Sequence, residues 1–385
     1  MGQHLTIEQQ TNRRWSIGFT VAVLGLFVLY HWIVPASPQS VQDFVRGWFS
    51  AANTNEMIIY VIMALGLNIV VGYAGLLDLG FVAFWAIGGY VAGWLMSSFL
   101  GNFEINIFGN PPVGQEYGIH ITFWWVLLIG GAFCALWGII IGAPTLRLKS
   151  DYLALVTLGF GEIIPQVFVN GEDLNGFNLS NGTKGITPID PIKFFGFRNL
   201  GPFDLDYKML IYAAIAAAGV LVSLRLRSGR LGRAWLAIRE DELAASMMGV
   251  PLMKTKLQAY AVGAFSGGLG GVAFATQVNG VFAERFNFSI SIILLAMVVL
   301  GGMGNVWGVI VGALVLSWIN GIGLQQFGNT VNSLLGTEIN FPSFNFLIFG
   351  MLLILMMLFR REGLIPEART RLVMHEGEGT NEGGH

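Results

Sequence analysis

Long apolar runs separated by shorter polar stretches recur along the whole chain, at 16–34, 56–72, 79–100, 121–143, 151–169, 209–224, 257–279, 288–302, 305–324 and 343–359. A helix needs about 20 apolar residues to cross a bilayer, and fewer inside a bundle. The pattern therefore predicts an all-α, polytopic transmembrane helix bundle of about 8–10 spans. Its weakest members are 151–169, which holds Glu162 and Pro165, and the closely spaced pair 288–302 and 305–324. Two long polar interruptions stand out, Asn170–Lys208 and Arg225–Lys256. Within the second, Leu231–Met248 has a helix-forming composition and no proline; Gly249 ends it and Pro251 follows. Residues 16–360 thus form the membrane domain, flanked by a short polar tail at 1–15 and a second at 361–385 that is expected to be disordered.

Two breaks in the apolar pattern are rich in glycine, Gly72–Gly80 and Gly301–Gly308. Discontinuous helices at corresponding places in two halves of a chain expose backbone groups where a translocated solute can meet them. Gly75 and Gly304 are the candidate path residues there; the plainer alternative is a tight turn at the membrane surface. Elsewhere Gly263, Gly267 and Gly271 recur every four residues, as do Gly304, Gly308 and Gly312. Small residues at this spacing let helix backbones approach closely where lipid gives no hydrophobic drive for association, so they predict close packing.

Acids at membrane depth are costly and face protein or water. Asp78 and Glu162 are the two candidates for lining a solute path. Glu162 lies eleven residues beyond Asp151, close to three helical turns, so the two share a face of one helix. The alternative for each is a carboxylate hydrogen-bonded inside the bundle. Neither has the neighbouring base that a proton relay would need.

Composition agrees with the pattern: 54% of residues are hydrophobic and only 11% charged, against about 25% charged in soluble domains. The placement of charge sets the topology. With ten spans and the N-terminus inside, 15 of the 21 Lys and Arg fall on inner segments: Arg13, Arg14, Arg147, Lys149, seven in Arg225–Lys256, and Arg360, Arg361, Arg369 and Arg371. Six fall outside, Arg46, Lys184, Lys193, Arg198, Lys208 and Arg285. Basic loops stay on the cytoplasmic side, so both termini and Arg225–Lys256 are expected in the cytoplasm. Asn170–Lys208 then becomes an external loop, either a solvated cap or a surface that receives a partner.

Several chemistries lack their residues. The single cysteine, Cys134, sits in an apolar run and reads as a packing residue. No phosphate loop is present, so any ATP and Mg belong to other subunits. The five histidines are scattered and give no metal motif. Gly268–Ala273 matches a dinucleotide pattern but lies inside a span with no strand before it. No catalytic constellation appears, no cofactor bound by this chain is expected, and neither is a nucleic-acid partner.

Ala237–Val250 resembles the cytoplasmic loop by which permeases of ABC importers meet their ATPases. Leu67–Gly80, Leu146–Ile164, Asn181–Ile186 and Val299–Gly308 are similar, in the same order, to the branched-chain amino acid permeases of LivM type. The resemblance implies a non-enzymatic subunit of the bacterial or archaeal plasma (inner) membrane. It implies a second homologous permease, two cytoplasmic ATPase subunits, an external solute-binding protein, and branched-chain or related amino acids as the solute. Arg239, Glu240, Asp241, Glu242, Ala244, Ala245 and Gly249 would form the ATPase-coupling helix, small residues seating it and charges fixing its register. A urea or short-chain amide permease is the nearest rival. A stand-alone secondary transporter is the rival of another class, and the absence of paired intramembrane acids and bases counts against it.

Overall fold

Among the described residues, ten apolar helices occupy the ten places that the hydropathy pattern marks, eight of them long enough to cross a membrane. The structure, a computed structural model, describes residues 18–365 except 24, 102, 110, 113, 115–116, 149, 195–197, 337 and 361–362. Expectations for the tails at 1–15 and 366–385 lie outside the described residues.

The long helices are α1 (Gly18–Ala36), α3 (Ala51–Tyr73), α5 (Phe123–Thr145), α6 (Ser150–Val169), α7 (Leu205–Ser228), α10 (Leu252–Val278), α11 (Phe288–Gly301) and α12 (Val306–Leu335). Two shorter apolar helices, α4 (Val82–Leu95) and α13 (Asn345–Phe359), complete the set. Three further helices are not spans: α2 (Gln39–Trp48), α8 (Arg230–Glu240) and α9 (Glu242–Met247). The chain is a multi-pass helix bundle with little sheet.

Helix ends depart from the apolar runs where polar side chains find partners. α3 starts at Ala51 rather than 56. Two of its early polar residues find partners: the Tyr30 hydroxyl lies 3.0 Å from Thr54 Oγ1, and the Asn55 amide donates to the Leu205 carbonyl. α12 continues past 324 through a π-helical turn at Ile319–Gly323. α2 was not marked by apolar run length because it is amphipathic. It docks through Trp48, stacked on Trp318, whose indole N–H donates to the Trp48 carbonyl.

α10 is the axis of the bundle, packed against α5, α4 and α3. Its glycines face these neighbours, as the four-residue spacing predicts. A Cβ on Gly271 would sit 2.3 Å from the Trp85 carbonyl oxygen, and one on Gly268 would sit 2.7 Å from that of Gly130. Both contacts are with backbone, which cannot give way as a side-chain tip can. Cys134 is buried in the same seam, its thiol donating to the Phe84 carbonyl. We expect Gly271→Ala to destabilise the bundle by about 1–3 kcal/mol, read as a lower unfolding midpoint in detergent. A wild-type midpoint would mean that α10 and α4 can move apart at no cost.

The two ends of the bundle differ. At one end, Met96–Ser97 (β1), Glu104–Ile107 (β2) and Gly118–Ile121 (β3) form a sheet in the order β1-β3-β2, β3 antiparallel to β1 and parallel to β2. Residues 170–204 fold over this end with a hairpin, Ile192–Phe194 (β4) against Arg198–Leu200 (β5). Asp190 ties the layers together. Its N–H donates to the Met96 carbonyl, and its buried carboxylate lies 2.9 Å from His120 Nδ1. Burial pushes the Asp190 carboxyl up from its usual range, and the His120 hydrogen bond opposes that shift. The predicted 170–208 loop is therefore a folded cap, tied to β1 and β3. The opposite end carries α8 and α9, the two glycine-rich breaks, and residues 363–365.

Candidate functional site

The charged element was expected as one helix, Leu231–Met248. It is two, because Asp241 is extended, at φ −154° and ψ 110°. A short acidic side chain competes with the helix backbone for hydrogen bonds; here Asp241 Oδ1 accepts the Ala244 N–H at 2.9 Å and caps α9. Gly249 does end α9. Its φ of +82° favours glycine, and the Val250 N–H reaches back to the Ala245 carbonyl.

The seven residues singled out in this element divide by direction. Four hold the element together or onto the bundle. The half-buried Arg239 donates from Nη1 to the Gly72 carbonyl, while its stem lies against Gly75. Glu242 pairs with Lys256 of α10, Oε1 to Nζ 2.6 Å. Asp241 is the cap just described, and Ala245 is buried at 4% exposure. Glu240, Ala244 and Gly249 are exposed. The most outward side chains are apolar and were not singled out in the sequence: Leu243, Met247 and Met248, at 68, 78 and 85% exposed. Their signal was available, as three apolar residues on a short polar-flanked helix.

The two breaks meet beneath this element. The last turn of α3, Asn68–Tyr73, is π-helical and leads into the non-helical residues 74–81. These residues run largely buried instead of making a tight surface turn. Backbone donors leaving the break find side chains of other helices: the Leu79 N–H donates to Thr157 Oγ1, and the Val82 N–H to Ser291 Oγ. The second break is the loop 302–305, where Gly302 and Gly304 have φ of +113° and +88°. Asn68 joins the two, its Oδ1 accepting the Gly304 N–H at 2.9 Å. A Cβ on Gly72 would meet both partners, 2.1 Å from Asn68 Oδ1 and 2.7 Å from the Gly304 nitrogen. Residues 363–365 close this end. The Leu364 and Ile365 N–H groups donate to the Leu300 and Gly301 carbonyls, and the Asn305 amide donates to the Ile365 carbonyl.

Gly75 and Gly304, two of the four candidate path residues, therefore lie in this junction. Asp78 is in the same break, 1% exposed. One of its oxygens accepts the Gly80 N–H at 2.8 Å; the other has Tyr260 and Thr157 beside it but no hydrogen bond of good geometry. Glu162 is elsewhere, exposed on α6. That helix packs on the first break at the adjoining Gly161, whose Cβ would come 3.0 Å from the Gly80 Cα. The shared face proposed for Glu162 and Asp151 cannot be followed, because the Asp151 side chain lies outside the described residues.

The family model for the permease component of branched-chain amino acid transport systems matches residues 52–357. The chain belongs to this family. It is 34% identical to the high-affinity branched-chain amino acid transport system permease protein LivM of Escherichia coli (strain K12), covering 94% of this chain and 78% of that protein. It is 25% identical to the probable LivM permease of Methanocaldococcus jannaschii, covering 80% of this chain and 91% of that one. A shorter match, 32% identical over 34% of this chain and 40% of the relative, is to the galactose/methyl galactoside import permease protein MglC of Haemophilus influenzae. No solved structure matches. The matched region of this permease runs from α3 into α13, so it contains both breaks and the whole of α8–α9.

Proposed function

We propose that this chain is the membrane subunit of an ATP-driven importer for branched-chain amino acids, working beside a second homologous permease. The observation that carries the reading is the α8–α9 element. It presents Leu243, Met247 and Met248 outward and grips the break at Gly72 inward through Arg239. An apolar knob between charged flanks suits a groove on another protein, and two cytoplasmic ATPase subunits are the partners that need such a contact. ATP and Mg would be bound there and not by this chain. Motion of the docked element would reach the membrane through Arg239, the α3 terminus and, by way of Asn68, the loop at Gly304.

The basic content of Arg225–Lys256 supports a cytoplasmic position for this end; both termini would then lie on that side and the folded cap outside, where a solute-binding protein would dock. The second permease would cover the open face of α6. There Leu155, Glu162 and Gln166 are exposed, and Gly159 has nothing near its Cβ position. A carboxylate in mid-helix is too costly to leave against acyl chains, so Glu162 would face water or protein on the solute path.

The reading is tested by reconstituting the chain with a second permease, two ATPase subunits and a solute-binding protein of the same family of importers. We expect leucine uptake that requires ATP inside the vesicle face bearing α8–α9. Uptake driven by an ion gradient without the ATPases would sink it, and uptake of urea in place of leucine would transfer the assignment to the amide class.

A further inference from the structure

A buried cation lies at the seam between the folded cap and the bundle. Lys208, in the first turn of α7, is 2% exposed. An ammonium group has three donors; that of Lys208 uses one, on the Thr276 carbonyl of α10 at 2.8 Å. Among the described residues it forms no ion pair within 4.0 Å. Asp204, one turn earlier, turns a carboxylate oxygen to the Gly201 N–H at 3.0 Å. By contrast, the buried ammonium of Lys256 meets the Glu242 carboxylate at 2.6 Å. Lys208 and Thr276 line a cavity of about 260 Å³, walled on the cap side by residues 188–192 and 200–202. Asp190, 3% exposed, is in that wall. Its carboxylate offers about four acceptor positions and faces a single ring nitrogen, His120 Nδ1, at 2.9 and 3.1 Å.

A charge buried against one neutral acceptor is costly, and packing does not require it, because an uncharged donor would satisfy the Thr276 carbonyl. The cavity is where an anionic partner for Lys208 can sit. It is smaller than the roughly 300 Å³ at which pockets for drug-sized molecules begin, so it suits one small molecule. Pro188, Ile189 and Leu200 give it apolar walls, and the fixed φ of proline stiffens such a wall. We propose that this cavity binds a free α-amino acid with an aliphatic side chain. Lys208 donates to its carboxylate, Asp190 accepts from its ammonium, and the side chain lies on Pro188, Ile189 and Leu200. The site is at the cap end, beneath the surface on which the binding protein would dock, and so serves as an entry site for the solute. The inference rests on the amino-acid transport reading and deepens it: urea and short-chain amides have no carboxylate and gain nothing from Lys208.

The test measures labelled leucine bound to the reconstituted complex of permeases and ATPases, with binding protein and ATP left out. Lys208→Gln keeps a donor for the Thr276 carbonyl and removes the charge. It should weaken binding about tenfold or more, as for loss of a charged hydrogen bond, at an unchanged unfolding midpoint. Leucinol, with an alcohol in place of the carboxylate, should bind the wild type about tenfold or more weakly than leucine for the same reason. Location is read with Pro202→Cys. Pro202 lines the cavity and is exposed, and the chain's own Cys134 is buried, so a maleimide marks position 202 and leucine should slow that labelling severalfold. The substitution alters an exposed residue, so this variant assembles and decides the matter even where Lys208→Gln does not. Undiminished leucine binding by Lys208→Gln, equal binding of leucinol and leucine, or labelling that leucine leaves unchanged overturns the site; a cavity that only holds water gives these results. Where the wild-type complex still imports leucine with ATP, they overturn the site alone. A wild-type complex that imports no amino acid overturns both the transport reading and the site.

Discussion

Arg239→Ala should leave the importer assembled but uncoupled: the ATPases still co-purify and hydrolyse ATP, and leucine uptake falls between about tenfold and a hundredfold. The size follows from the contact. A hydrogen bond from a charged donor contributes about 1.5–3 kcal/mol, and each 1.4 kcal/mol is a factor of about ten. Arg239 makes that bond to the Gly72 carbonyl at the π-helical end of α3, and its stem also packs on Gly75. Alanine removes both the bond and the lever arm, yet Trp235 still anchors α8 through its indole N–H on the Thr255 carbonyl. The element therefore remains docked while its grip on the break is gone. Arg239→Lys keeps a cation with fewer donors and should recover part of the loss. Wild-type uptake per ATP in Arg239→Ala would show that motion reaches the membrane by another route, such as the Glu242–Lys256 pair.

The second large effect belongs to the outward face of α9. Leu243→Glu combined with Met247→Glu should abolish co-purification of the ATPases and with it all ATP-driven uptake, while the amount of inserted permease stays at the wild-type level. Both side chains project outward, so the permease itself loses little when they change. A partner groove that had buried them would have to desolvate two carboxylates, a cost of several kcal/mol. Ala245→Glu, by contrast, places a charge at a buried position and would disturb the element itself, so it separates folding from docking poorly. Normal ATPase recovery with the double variant would remove α9 from the interface.

The membrane architecture was legible because lipid imposes it. Every backbone group in a span must be paired within a helix, so apolar run length alone located all ten apolar helices, and it failed mainly at their ends. There the deciding groups were polar: Thr54 and Asn55 extend α3 because Tyr30 and the Leu205 carbonyl, far away in sequence, receive them. The coupling element was legible in position but not in shape. Asp241 reads as an ordinary helix residue until its carboxylate is seen capping α9.

What the sequence determined by itself is the class of molecule and the places where it departs from a plain bundle. Run length, the clustering of basic residues and the glycine spacings are local properties, and each acts through the bilayer or through contact between adjacent helices. Tertiary structure decided what those places do. Gly72 and Gly304 are separated by most of the chain, yet they meet at Asn68. Hydrogen bonding and charge act over a few ångströms in space whatever the separation along the chain, so the folded arrangement alone could show which distant residues act together.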